Sequence, residues 1–409
     1  MGETSWQPGL LLQLGASQAV LVGCIESSVA SIQKEGLLMK RVGNLYKKVW
    51  AYDNLLEAHR NAKRGKGWYK EIQEVEKNLE MNLYKIQTLL VHHLYETSSY
   101  EKFYKQEGPK LRTIYKLPYF PDRIVQWALM QVVSPYIEKS LIRDTYSAIP
   151  GRGIHDGLSR VQDAMYNHYD DCLFCLKFDI RHFYQNIVHS ILVDAYGRLF
   201  KDYELMLLIE EITESISTLD DEDKSEMEAE GLEIIEACGL PIGNFFSQWS
   251  GNFYLSPFDH WMKEEMRKKF YFRYMDDIVV FGSSKEELHE LREASESFLW
   301  DNLHLRLKKN WQVFPSYVRG VDFLGYRIFD SYTLLRKQTV KSMRCKHKCL
   351  DKKVSCGLMS YSDFCSLNSY LGWGVKGDCF RLNNKYIMPF EEAACEFYRD
   401  VIVRGALKR

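Results

Sequence analysis

Three carboxylates in the 409-residue chain sit where acids are costly to place. Asp276 and Asp277 are adjacent within Phe270–Gly282 (FYFRYMDDIVVFG), and Asp179 closes the apolar run Leu173–Phe178 (LFCLKF). Neighbouring acids repel each other and resist desolvation unless a cation neutralises them. A solvated turn is the ordinary explanation for one acidic pair. A third acid at the end of a buried run shifts that balance, because the three together supply the hard oxygen ligands that Mg²⁺ prefers. Two such ions, about 4 Å apart, could activate an attacking 3′-hydroxyl and stabilise a leaving pyrophosphate. The chemistry this set could carry out is nucleotidyl transfer.

Such chemistry needs rigid elements beneath it. Phe270, Phe272 and Tyr274 alternate with other side chains, and Ile278–Phe281 forms a second apolar run. Two short strands therefore flank the acids and place them at a tight hairpin turn. Leu173–Phe178 has the length and composition of a buried strand.

Tyr274–Asp277 (YMDD) and Phe178–Ile187 (FDIRHFYQNI) resemble the palm motifs of reverse transcriptases, and Gly239–Gln248 (GLPIGNFFSQ) resembles that family's template and nucleotide clamp. The order of acid, glycine clamp and hairpin acids is similar too, and so is their spacing. Counting Pro121–Gln126, Ser147–His155, Asn310–Phe314 and Arg319–Arg327, the resemblance runs over about residues 39–385. It implies an α+β right-hand polymerase. Mostly helical fingers would span 39–170, with a basic strand near 110–116. A palm with an antiparallel sheet would span 171–330, and a helical thumb 331–409. Asp179, Asp276 and Asp277 would hold two Mg²⁺ ions, or Mn²⁺ in their place, with the backbone of Ile180 as a further ligand.

Further residues take roles by the same resemblance. Lys110 and Arg112 would meet the incoming triphosphate, a task suited to fixed cations and Arg's forked donors; otherwise they are solvated charges on an edge strand. Tyr184 falls where the family places its ribose 2′-hydroxyl gate, the alternative being a core aromatic. Arg123 would contact nucleic acid, and Arg152, between Gly151 and Gly153, would reach a strand phosphate. Many reverse transcriptases carry Gln where this chain has Ile242, and Pro where it has Gln248. An apolar residue followed by GxxxSQ is what diversity-generating retroelement reverse transcriptases carry. Ile242, Gly243 and Gln248 would then border the nucleotide without the amide that sharpens selection there. Residues 334–353 hold eight Lys/Arg and one Asp, among them Arg336, Lys337, Lys341 and Arg344. That stretch suits a thumb helix lying along a duplex backbone.

Composition is compatible with a nucleic-acid enzyme once it is divided. The chain carries 54 Lys+Arg against 55 Asp+Glu, a net charge of −1. Residues 210–236 hold 12 of those acids and one Lys, so the remainder has 53 basic and 43 acidic residues. A basic body with an acidic insertion, set at 205–237, can still bind phosphates, because local charge decides. Hydrophobic content of 46%, with 26 Tyr and 21 Phe, marks a globular protein. The ten cysteines lack framework spacing, Cys172 and Cys175 read as buried thiols rather than zinc ligands, and the chain reads as reduced and cytoplasmic. Leu10–Ile25 is apolar but short for a membrane span, broken by Gln13 and Gln18, and no Lys or Arg precedes Lys34. A signal peptide needs a positive start, so residues 1–38 read as a packed accessory extension with family-like sequence beginning near Met39.

The expectation is RNA-directed DNA synthesis on a specific RNA template, with dNTPs as substrates and no membrane role. A cognate noncoding RNA would accompany it, with a protein partner or a second copy of the chain. The acidic insertion and near-neutral charge favour an anti-phage defence setting; the Ile242/Gln248 clamp favours a diversity-generating retroelement. An intron-type enzyme would carry further C-terminal domains. A catalytically idle RNA-binding scaffold would not need all three acids.

Overall fold

The computed structural model describes residues 41–399 except 108–109, 220, 230, 232–233 and 236. The expected extension over 1–38 and the last ten residues of the expected thumb lie outside the described residues.

The first helices are α1 (Tyr52–Lys63), α2 (Lys70–Lys77) and α3 (Leu79–Val91). The apolar spacing from Ile72 to Leu90 predicts one amphipathic helix, and the structure makes two. Asn78 leaves helical geometry (φ −135°, ψ 49°), yet Ile72, Val75, Leu83, Ile86 and Leu90 all remain buried. The stripe is kept across the break because burial, not helical continuity, is what those side chains need. An antiparallel hairpin follows, β1 (Glu101–Glu107) with β2 (Lys110–Lys116), so the basic strand is observed as expected. Then comes α4 (Ile124–Ser140), whose buried Ile124, Val125, Ala128, Leu129, Val133 and Ile137 pack it into the helical core. α4 is fastened to α1 by Asn54, which donates to the Ala128 carbonyl at 3.0 Å.

The central sheet has five strands in the order β3-β5-β6-β4-β7. They are β3 (Thr145–Tyr146), β4 (Phe174–Asp179), β5 (Tyr271–Tyr274), β6 (Asp277–Gly282) and β7 (Gln312–Pro315). All neighbours are antiparallel except β3 with β5. β4 reads as an almost unbroken apolar run because both sheet faces are covered. Leu176, Phe178, Ile278 and Val280 join the core shared with the helices, whereas Cys175, Val279, Phe281 and Phe314 join a second core on the other face. The period of two along each strand makes that division.

Between α5 (Ile154–Asn167) and the clamp lie α6 (His189–Leu199), α7 (Tyr203–Glu214) and α8 (Asp221–Ala229). The insertion placed at 205–237 is narrower than expected. Leu205, Leu208, Ile209 and Ile212 of α7 are buried against the body, so this half of the acidic stretch is core helix. The clamp helix α9 (Phe245–Tyr254) leads to a shorter helix, Ser256–His260; Ser256-Pro257 reads in the sequence as an N-cap and first turn, and the structure puts the N-cap one residue earlier, at Leu255. The Ser256 hydroxyl instead donates to the Ser140 carbonyl.

After β6, α10 (Lys285–Leu303) packs on the central sheet. A three-stranded antiparallel sheet, β8 (Val321–Phe323), β9 (Tyr326–Ile328) and β10 (Thr333–Leu335), then bridges to α11 (Lys337–Val354) and α12 (Tyr361–Val375). Trp373 of α12 stacks on Tyr326 at 5.3 Å, and its carbonyl accepts the Tyr326 hydroxyl.

Candidate active site

The three acids meet because of register. In the β4–β6 ladder Asp179 is the partner of Asp277, and in the β5–β6 hairpin Tyr274 is the partner of Asp277. Met275 and Asp276 form the two-residue turn, with Met275 at φ 54°. The first position of such hairpin turns takes the left-handed region to match strand twist. Asp276 is tied to β4 through its carbonyl, which accepts the Ile180 N–H at 3.2 Å. The expected convergence of Asp179, Ile180, Asp276 and Asp277 is thus made by backbone pairing.

A buried ion pair holds the turn from behind. Arg273 and Asp259 are both fully buried. The guanidinium forks onto Asp259, Nε to Oδ1 at 2.7 Å and Nη2 to Oδ2 at 2.6 Å. Its remaining donors reach the Asn252 side chain and carbonyl and the Met275 carbonyl, each at 3.1 Å. Tyr271 and Thr145 hydroxyls also donate to Asp259. Arg273 is therefore linked directly to the turn that carries Asp276.

Two lysines answer the three carboxylates. Lys177 Nζ lies 2.9 Å from Asp277 Oδ1 and 3.2 Å from Oδ2, and also donates to the Asp322 carbonyl. Lys308 Nζ stands 3.5 Å from Asp276 and 3.9 Å from Asp179. Burial pushes the Asp277 carboxyl up to about 6, with Lys177 pulling it down and Asp179 pushing it further up. Among the described residues no group of three His, Cys, Asp or Glu is close enough to hold an ion as placed. The donor set nevertheless fits a hard divalent cation. Every acidic donor is oxygen, and the lysine charges occupy the ground between the acids.

Sequence reasoning passed over both lysines. Lys177 was legible, since it lies two residues before Asp179 and strand periodicity places both on one face. Lys308 comes from a later loop whose backbone N–H donates to the Asp179 carbonyl at 2.9 Å, and no local pattern reports that contact. The face bearing Lys177 and Asp179 opens onto a cavity of about 390 Å³, lined also by Asn310, Arg319, Arg327 and Arg336.

The other expected site residues distribute around this centre. Tyr184 is half-buried beside the turn, its hydroxyl 3.5 Å from the Met275 sulfur. Burial, then the Asp276 charge, raises its pKa, so the hydroxyl stays protonated. Gly251 lets α9 approach closely, since a Cβ there would come within 3.2 Å of both the Phe183 and Tyr184 rings. The clamp is strung along the same segment, with Leu240 N–H donating to the Tyr184 carbonyl at 2.7 Å. Ile242 is half-buried, Gly243 is exposed at φ 106°, and Gln248 is exposed on α9. Phe245 stacks face to face on Trp127 of α4 at 3.9 Å, joining clamp and helical region.

Lys110 and Arg112 lie on β2 opposite Glu107 and Lys105, and their side chains lie outside the described residues. Arg123 is half-buried at the start of α4. Arg152 turns inward, donating to the Ile142 carbonyl at 2.9 Å and lying 3.7 Å from Glu138. Arg336 pairs with Asp322 beside the cavity, Lys337 and Lys341 are exposed on α11, and Arg344 stacks over Tyr386 at 5.6 Å.

Comparison with known proteins identifies the family. Residues 104–328 match the family model described as "Reverse transcriptase (RNA-dependent DNA polymerase)". The chain belongs to the reverse transcriptase family. The matched span contains all three acids, the clamp and Tyr184. This reverse transcriptase is also similar to Protein YkfC of Escherichia coli (strain K12), at 23% identity over 277 residues, covering 59% of this chain and 69% of that protein. Among solved structures it resembles an apo telomerase from Candida tropicalis, with TM-score 0.42, 12% identity and 57% of this chain covered. It also resembles a telomerase from Candida albicans in complex with a fragment of telomeric RNA, with TM-score 0.41, 11% identity and 62% covered. The chain spans about half the length of each, 48% and 51%. Among the described residues no helix is long and apolar enough to cross a membrane.

Proposed function

We propose that this reverse transcriptase synthesises DNA on a specific RNA template by two-metal nucleotidyl transfer at Asp179, Asp276 and Asp277. The observation that carries the reading is the Asp179–Asp277 register pair with Asp276 one residue away at the turn. Bound there, divalent ions would lower the cost of deprotonating a primer hydroxyl and of developing charge on pyrophosphate. Asp179 and Asp276 would present oxygens from two strands fixed by the Ile180–Asp276 backbone bond. Lys308 would give way as a cation arrives, since its charge serves the same two carboxylates. Asp277, held by Lys177, supports the site from the neighbouring position. Tyr184 would pack beneath the sugar, and Ile242 with Gly243 would border the nascent pair.

In this reading residues 39–170 act as fingers, 171–330 as palm and 331–409 as thumb, with Lys337 and Lys341 turned to the product duplex. The Ile242/Gln248 clamp supports a diversity-generating retroelement, and the acidic stretch with the near-neutral charge supports a defence setting; either would bring a cognate noncoding RNA and a protein partner. Asp179→Asn and Asp276→Asn test the site. Each should cut Mg²⁺-dependent DNA synthesis by at least about 10²-fold while RNA binding is kept, because the lost charge acts on the transition state. Full synthesis by either variant would refute the metal assignment.

A further inference from the structure

The turn joining α1 to α2 places two exposed aromatic rings side by side among cations. It reads Arg64-Gly-Lys-Gly-Trp-Tyr69. Trp68 and Tyr69 are 70% and 46% exposed, and their rings lie together at 4.2 Å with a 38° tilt. Isolated apolar side chains at a surface need no explanation, whereas a paired indole and phenol left uncovered do.

The cations around them are equally uncommitted. Residues 60–70 hold five Lys/Arg and no acid. Arg60 and Lys63 pair with Glu57 and Glu76. The side chains of Arg64, Lys66 and Lys70 have no hydrogen-bond or ion-pair partner among the described residues. The frame beneath is firm. Lys66 and Tyr69 N–H groups close successive turns at 2.8 and 2.9 Å, and Glu71 fastens α2 to β2 through Lys116 at 2.5 Å. Gly65 sits at φ 71°, and a Cβ there or at Gly67 would meet nothing within 4 Å. Gly65 therefore answers to backbone conformation, and both glycines leave the surface open.

We propose that Trp68 and Tyr69, with Arg64, Lys66 and Lys70, form a platform for single-stranded RNA outside the catalytic site. The rings offer faces to unpaired bases, and the three cations meet the phosphates between them. A protein partner would be met by apolar surface with a mixed rim, whereas residues 60–70 carry five cations and no acid around the two rings. That the strand is RNA rests on the proposed function; that it is single rests on the rings.

The test is fluorescence anisotropy with the full chain, a labelled 20-nucleotide oligo(U), and a duplex RNA of equal length, without dNTPs or divalent ions. Trp68→Ala/Tyr69→Ala should weaken oligo(U) binding at least about fivefold, the low end for one stacked base, and change duplex binding little. Trp68→Phe should restore most of the loss. Arg64→Gln/Lys66→Gln/Lys70→Gln should flatten the slope of log affinity against log salt by about 2, at roughly 0.7 per phosphate on a single strand. DNA synthesis on a primer–template with a two-nucleotide overhang should be unchanged in the aromatic variant. Unchanged oligo(U) affinity and salt slope would overturn the proposal and make the patch a protein-facing surface. Equal losses for oligo(U) and duplex would overturn the single-strand assignment. Because no synthesis is measured in the binding arms, inactivity at the three acids leaves this result intact.

Discussion

The Arg273–Asp259 pair offers the sharpest energetic test, because both partners are fully buried and every guanidinium donor is used. Asp259→Asn preserves shape and removes the charge. One carboxylate oxygen becomes an amide NH₂, which cannot accept from Arg273 and faces Thr145 as well. Each buried donor left unsatisfied costs about 1–3 kcal/mol, and an uncompensated buried charge about 3–5 kcal/mol in total. Unfolding entropy near 2 cal/mol/K per residue gives about 0.75 kcal/mol/K for the described residues alone, within 41–399, so the melting temperature should fall by about 4–7 °C or slightly less. The assay is thermal and urea unfolding of Asp259→Asn, Arg273→Met and the double variant. If the pair acts as one unit, the double variant should be more stable than the sum of single losses predicts by at least about 1.5 kcal/mol. Arg273→Lys adds a functional arm. Lysine cannot fork, so the Met275 carbonyl loses its anchor, and kcat should fall more than template KM rises. A loss below about 1 kcal/mol in Asp259→Asn, with additive double-variant energies, would refute the view that this pair sets the turn.

Three further outcomes follow from the site and its supports. Tyr184→Ala should raise ribonucleotide incorporation, measured as NTP against dNTP use on one template; unchanged discrimination would remove the gate role. Ile242→Gln should lower misincorporation when cDNA copied from a defined RNA is sequenced, since apolar shape alone is worth only ~1–3 kcal/mol, or roughly 10- to 200-fold; equal error spectra would reduce Ile242 to packing. Asp363, buried in α12, is pushed up by burial, but Lys346, Lys353 and Ser360 outweigh that and hold its carboxyl well below the usual range. A depressed folded pKa means stability fully present above the unfolded value near 4 and lost as pH falls through the folded one. Acid titration of unfolding should therefore be shallower below about pH 4 in Asp363→Asn than in the parent, and equal slopes would contradict the linkage.

Much of the centre could be read in advance because it is written in local patterns. Alternation in Phe270–Tyr274 and the run at Ile278–Phe281 predicted the hairpin, and the hairpin alone places Asp276 and Asp277. Asp179 could be joined to them because a buried strand must pair within a sheet. Register, which makes Asp179 the partner of Asp277, carries no local mark; only the convergence of the three acids was reached, through the family's motif order. The acidic stretch was legible in part. The spacing of Ile209 and Ile212 marks a helix there, and the structure extends its buried face back to Leu205 and Leu208. Composition measures the solvent face of an amphipathic helix as readily as it measures a loop.

What escaped the sequence is mostly long-range electrostatics. An arginine within the otherwise apolar Tyr271–Tyr274 strand signals a buried counter-charge, but nothing local selects Asp259 over its acidic neighbours. Lys308 reaches Asp179 and Asp276 from a segment more than a hundred residues beyond the first of them in the chain. These groups explain how three acids stand together at the end of the sheet. Lys177 and Lys308 offset the repulsion in the assembled site, and the Arg273–Asp259 pair, sealed beneath, fixes the backbone that presents it. The labour is divided: part-exposed lysines offset the charge of the acids, and a fully buried arginine fixes the backbone beneath them. Lys308, one-third exposed, can leave its carboxylates at modest cost. Arg273 cannot.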